Sequence, residues 1–240
     1  MDLKFKKLKQ TIADTLLALQ DLADVKRKKY AEESYPTKMD VIGVTTPNLR
    51  LVLKEFRRQT QTYSKNEIYS LLRELIEMNI LELQLLAFEY FKTDNELTKT
   101  VSFSQMDALG KNLDNWLSVD TFATMVVGKA LLAEVIALDN LFTYSKSKDP
   151  WQRRVVLVAT TCLNNKNNLS QNDIDTTKKL FKLYVDDHQG MIVKALSWAL
   201  REFIKTDEEM VQQFISDYES KLHKSVLREV KSKLIFGVKN

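Results

Sequence analysis

Apolar residues recur at three- and four-residue spacing along nearly the whole chain, the period of helices that bury one face. Leu16, Leu19 and Ala23 continue a first helix that starts near Asp2. A polar, irregular stretch follows, KRKKYAEESYPTKMDVIGVTT, containing Pro36 and Gly43. A second helix begins at Pro47 with Thr46 before it, the placement of a first-turn proline behind a cap. The same spacing predicts helices over about 64–76, 78–92, 104–111, 113–125, 128–142, 149–164, 171–186, 189–204, 206–217 and 219–235. Turns are signalled by DNEL at 94–97, SKSKDP at 145–150 and NNKNNLSQND at 164–173. Asp149, Pro150 and Gln152 together read as a helix start of the capping-box kind.

No segment alternates as a strand should. Short helices in consecutive antiparallel pairs predict an all-α chain, an α-solenoid in which each pair buries a face on the next. Trp116 and Arg154 are 38 residues apart, and Arg154 and Trp198 are 44. Both intervals lie near the ~40–47-residue period of helical-pair repeats. A single repeat domain over residues 1–240 is the expected organisation.

Composition supports this and narrows the function. Five Gly and three Pro are too few for a sheet-rich fold with many tight turns. A net charge of +4 permits contact with a polyanion without demanding it. The single cysteine, Cys162, leaves no internal disulfide and fits a reducing compartment. MDLKFKKLKQ lacks the apolar centre of a signal peptide, and no apolar run reaches the roughly 20 residues of a membrane span. A soluble, cytoplasmic protein without membrane contact is expected.

Helical projection at 100° per residue shows three residues out of place. Over 113–127, Asp120 falls on one stripe with Leu113, Leu117, Thr124 and Val127, flanked by Trp116. An ionised carboxylate there either has a partner or borders a cleft. Over 149–164, Arg154 lies beside the stripe of Trp151, Val155, Val158 and Cys162, and Arg153 faces away as a solvated charge. Arg154 is placed to reach along a groove, or to snorkel without further purpose. Over 189–204, Trp198 sits off the apolar centre of Leu196, Ala199, Leu200 and Phe203, between Lys194 and Arg201. It is a stacking surface bordered by cations or a partly buried core residue.

Familiar catalytic constellations are absent. His188 and His223 are far apart in sequence and lack cysteine companions, so no metal site is readable. There is no glycine-rich phosphate loop and no nucleophile motif, and Cys162 reads as core.

Four ordered segments then carry a resemblance: GVTTPNLR at 43–50, NWLSVDTFATMVVGKALL at 115–132, SKDPWQRRVVLV at 147–158 and KALSWALREF at 194–203. Together they resemble the AlkD-type DNA alkylation repair family, glycosylases built from HEAT-like helical repeats with a concave DNA-binding surface. The family's W-x-x-x-D pair matches Trp116 and Asp120, its W-x-R-R arginine matches Arg154, and its W-x-L-R pair matches Trp198 and Arg201. Its N-terminal tyrosine matches Tyr35, although Pro36 follows it here. A second departure is LFTYSKS, with Phe142 and Tyr144 where members often carry a tryptophan.

The resemblance implies excision of cationic purines such as 3-methyladenine and 7-methylguanine from double-stranded DNA, with the base left stacked. It implies that Trp116 and Trp198 flank the deoxyribose and that Asp120 serves the sugar. Arg154 and Arg201 would hold flanking phosphates, and Lys129, Lys146, Lys148 and Lys194 are further phosphate candidates or simply solvated charges. A monomer needing neither metal nor cofactor is implied, because the alkylated base is already a good leaving group. Two other classes stay open: a non-catalytic relative that binds unusual DNA structures, and a helical scaffold that binds protein.

Overall fold

Capping side chains set most of the helix starts in the computed structural model, which describes residues 3–166 and 169–239, with side chains from Lys6 onward. The expected start near Asp2 and the part of the 164–173 turn on Asn167 and Asn168 lie outside the described residues. The chain is all-α among those residues. Its only extended pairing there is a single bridge between Asp40 and Ile80. It divides into two compact units, 1–125 and 126–240.

The first unit holds α1 (Leu3–Asp21), α2 (Val25–Ser34), α3 (Thr46–Gln59), α4 (Lys65–Glu77), α5 (Leu81–Thr93), α6 (Asn95–Thr100), α7 (Phe103–Leu109) and α8 (Trp116–Phe122). Ser64 and Glu67 exchange a reciprocal capping box at the start of α4, and Ser102 and Gln105 do the same for α7. Thr45, one residue earlier than expected, caps α3 by accepting from the Asn48 N–H. Helix α1 packs on α3, α3 on α5 and α5 on α8. This stepwise contact of every second or third helix is the packing of a helical repeat.

The second unit holds α9 (Gly128–Leu132), α10 (Leu141–Ser145), α11 (Pro150–Thr160), α12 (Gln171–Lys182), α13 (Gly190–Phe203), α14 (Glu208–Asp217) and α15 (Lys224–Phe236). Here α11 packs on α13 and α13 on α15, with α12 and α14 behind them. Asp149 caps α11 by accepting from the Trp151 N–H at 2.9 Å.

Three departures from the predicted elements have clear causes. Helix α2 lies inside the stretch expected to be irregular. VKRKKYAEES buries only Ala31, so it has almost no apolar period; the Asp24 carboxylate starts it and Tyr35–Pro36 ends it. The predicted 128–142 helix stops at Leu132, because Glu134 takes a left-handed φ of 56° and turns the chain. Short α6 occupies the DNEL turn, capped by Asp94 accepting from the Leu97 N–H.

Gly43 shows how tightly the α2–α3 connection is built. Its φ of +94° lies in the region that favours glycine, and a Cβ there would meet Lys28 Cβ at 2.6 Å. Its carbonyl accepts from the Asp24 N–H, and its own N–H is given to Glu82 on α5.

Candidate functional site

The N-terminus of α8 carries the first group of candidate residues. Asn115, 1% exposed, caps the helix with Oδ1 accepting from the Ser118 N–H at 3.0 Å. Trp116 follows, 37% exposed, with its indole N–H donated to the Ser34 carbonyl at 3.1 Å. The Tyr35 ring stands edge-on to it, 4.9 Å between centroids at 72°. Tyr35 is itself buried, touches Tyr30 edge-on at 6.0 Å, and lies under the Arg27 guanidinium at 5.8 Å. The structure therefore brings Tyr35 and Trp116 together, and a cavity of about 130 Å³ is lined by Tyr35 with Arg27, Leu117 and Thr121.

Asp120 lies one turn beyond Trp116 and is half-buried. This corrects the projection that placed it at the centre of the apolar stripe. Helix α8 starts at Trp116, so Leu113 is outside its register. The buried face is Ser118, Val119, Phe122, Ala123 and Val126, whereas Leu117, Asp120, Thr121 and Thr124 form its half-buried edge. Residues Ala123–Val127 form a π-helical turn, whose wider spacing breaks a constant 100° increment. Such turns recur at functional sites because they re-aim the side chains of one helical turn.

In the second unit the candidates lie on α11 and α13. Lys194, Trp198 and Arg201 occupy one edge of α13, exposed, half-buried and half-buried, beside the buried face of Leu196, Ala199, Leu200 and Phe203. That is the arrangement expected from the sequence. Lys129 on α9 is half-buried.

The two adjacent arginines of α11 differ from expectation. Arg153 is no solvated charge: it pairs with Asp187 at 3.1 Å and donates to the carbonyls of Ser147 and Lys148. Arg154 is 5% exposed, and its Nη1 donates to the Met191 carbonyl at 2.6 Å, fastening α11 to the start of α13. Helical projection finds the angle of a side chain but not the carbonyls that will meet a long one.

Sequence reasoning missed the group that holds Arg201. Glu229 on α15 accepts from Ser197 Oγ at 2.5 Å and lies 3.8 Å from Arg201 Nε and 3.4 Å from Lys239 Nζ. Burial acts to raise the Glu229 carboxyl, but the Ser197 hydroxyl, Lys239 and Arg201 together hold it below the ordinary glutamate value. No local pattern marks Glu229, because Ser197 and Arg201 lie on a different helix. A depressed folded value means that this stabilisation is present above about pH 4.3 and fades as pH falls through the lower folded value. Glu229→Gln is therefore expected to melt below the parent at neutral pH, with the gap closing below about pH 4 in thermal melts. A gap that stays constant with pH would show that the ionised carboxylate is not what stabilises this corner.

The two histidines and the cysteine have defined surroundings. His188 and His223, distant in sequence, have ring centroids 5.8 Å apart. His188 Nε2 donates to the Lys221 carbonyl, and His223 Nδ1 caps α15 by accepting from the Ser225 N–H, so both are engaged structurally. Among the described residues, no group of three His, Cys, Asp or Glu side chains could hold a metal ion. Burial pushes the Cys162 thiol up to about 11, leaving it protonated and a poor nucleophile at neutral pH. No described helix is long and apolar enough to cross a membrane.

An all-α helical-repeat protein whose candidate side chains are tryptophan faces, a carboxylate and cations is the class these features define. The chain belongs to the family described as DNA alkylation repair enzyme, whose profile matches residues 15–234. Its role is thus in the repair of alkylated DNA, with DNA as its partner. Its fold is that of a solved structure titled a predicted DNA alkylation repair enzyme from Enterococcus faecalis. That similarity has a TM-score of 0.73 at 19% identity and covers 89% of this chain and 97% of the other. A search of curated proteins returned no match.

Proposed function

We propose that the protein is a DNA glycosylase that hydrolyses the N-glycosidic bond of cationic alkylated purines of the 3-methyladenine and 7-methylguanine type. The observation that carries this reading is the pairing on α8: an exposed, fixed tryptophan face with a half-buried carboxylate one turn away. Membership of the alkylation repair family supports alkylated DNA as the substrate. The match runs through both compact units, which supports residues 1–240 acting as one HEAT-like repeat domain.

The chemistry follows from the residue types. An N3- or N7-alkylated purine is already positively charged. When its bond to C1′ breaks, the electron pair leaves with the base, which becomes neutral, and the positive charge passes to the sugar. The Asp120 carboxylate stabilises that charge and orients the water that attacks C1′, whose proton passes to the carboxylate or to solvent. Trp116 offers an aromatic face to that cation, and Trp198 is a second aromatic face available to bound DNA. Arg201, Lys194 and Lys129 contact phosphates, and buried Arg154 contributes positive potential behind them. The products are free purine and an abasic site.

The test is incubation of the protein with duplex DNA containing 7-methylguanine and chromatographic measurement of free base. Release above the spontaneous rate is expected. Tight binding without release would favour a non-catalytic DNA-binding protein, and neither release nor binding would overturn both.

A further inference from the structure

Asp114 lies outside every motif that pointed to the site, yet it makes long-range contacts beside Trp116. Oδ1 accepts from Thr37 Oγ1 at 2.6 Å and from Asn115 Nδ2 at 3.1 Å, and Oδ2 accepts from the Lys38 N–H at 2.6 Å. Two of these bonds span 77 and 76 residues of sequence. They join the segment after α2 to the residue that precedes the cap of α8.

That segment is the one that constrains Trp116. Ser34 accepts the indole N–H, Tyr35 stands against the ring, and Thr37 and Lys38 are held by Asp114. Pro36 stiffens the short stretch between the two sets of contacts. With Tyr35 packed against the ring and its only polar atom bonded, the indole is held in place while more than a third of Trp116 stays open. Charge-assisted bonds of 2.6 Å are stronger than neutral ones, so the carboxylate fixes the segment more firmly than an amide would.

We infer that Asp114 is a positioning residue for Trp116, acting through the Ser34–Lys38 segment; it would set the tilt of the indole face offered to the deoxyribose. The inference rests on the glycosylase reading for its purpose, but not for its geometry. A merely structural role predicts something different. The Lys38 bond is exposed, so water can replace it, and loss of Asp114 costs the fold little while loosening the ring.

Two measurements test it. In single-turnover release of 7-methylguanine, Asp114→Asn should slow the chemical step by about 10-fold or more, since small misplacements near a reacting centre are costly. Affinity for undamaged duplex should stay within about twofold of the parent, because the contacts to phosphate are made elsewhere. Thr37→Val removes a partner of the same clip, so adding Asp114→Asn to it should cost less than the two single losses combined. Fully additive losses would overturn the inference. The second measurement needs no activity: acrylamide quenching of the Trp116 emission, taken as the difference between the parent and Trp116→Phe. Asp114→Asn should raise that quenching and shift the emission to the red. Unchanged quenching would overturn the positioning role whether or not the parent releases base. Absence of release with raised quenching would instead remove the glycosylase reading and leave Asp114 as the residue that fixes Trp116.

Discussion

Asp120→Asn is expected to lower single-turnover release of 7-methylguanine by roughly 10²–10³-fold, the usual loss when one preorganised charge partner of a transition state is removed. The substitution keeps the shape of the side chain and removes only its charge, so the fold of α8 should survive. The carboxylate's benefit is greatest once the sugar has become cationic, so the loss belongs in the chemical step and not in binding. The sign on DNA affinity provides a control. Replacing an anion near a phosphate backbone with a neutral amide removes repulsion, so undamaged duplex should bind equally well or more tightly. Slower release combined with unweakened binding would identify the carboxylate as catalytic. Equal release by the parent and the variant would take Asp120 out of the mechanism.

How visible this residue was in the sequence depended on which physical rule was asked. Periodicity and caps located α3, α4, α11, α12 and α13 to within a few residues, because each carries a strong apolar face or a cap, and the apolar run of α5, buried nearly all round, located that helix as well. Helix α2 left no such trace, since a helix that buries only Ala31 is held by its Asp24 cap and its neighbours. The same projection that drew attention to Asp120 put it in the wrong place on its helix. The stripe was anchored on Leu113, which precedes the helix, and ran through Leu117, which proves half-buried, while Ser118 is buried with its hydroxyl donated to the Asn115 carbonyl. Hydropathy cannot see a serine that has satisfied itself on its own backbone. For Trp198, whose neighbours are unambiguous, projection gave the right edge of α13. The supporting carboxylates Asp114 and Glu229 were invisible for another reason: Thr37 and Lys38 lie 77 and 76 residues from Asp114, and Ser197 lies 32 from Glu229. Such partners follow from tertiary packing, not from any local pattern.

Glu82 is a third such carboxylate, and its loss should have the largest effect on stability. It lies in the first turn of α5 and is 4% exposed, a position where an ionised side chain needs full compensation. That compensation comes from three backbone donors in a row: Ile42 N–H at 3.0 Å, Gly43 N–H at 2.8 Å and Val44 N–H at 3.2 Å. The positive dipole end of α5 adds to it. The 42–44 segment depends on Glu82 in turn, because the +94° φ of Gly43 turns successive N–H groups towards one point. Glu82→Ala would leave donors of buried Gly43 and Val44 without acceptors, each costing about 1–3 kcal/mol. A total of about 3 kcal/mol or more is expected, allowing for water entering from the cavity that Glu82 lines. For a chain of this length that corresponds to a fall of roughly 10 °C in Tm. Glu82→Gln should recover only part of the loss, since its amide nitrogen faces a donor where an acceptor is needed. Thermal melts measure the total, and amide exchange at residues 42–44 shows where it arises. The segment runs directly into Met39 and Tyr35, which share a core cluster with Leu81, so loosening it should reach the ring beside Trp116. If Glu82→Ala melts within about 1 kcal/mol of the parent, the three N–H groups find other acceptors and the carboxylate is not what holds this turn.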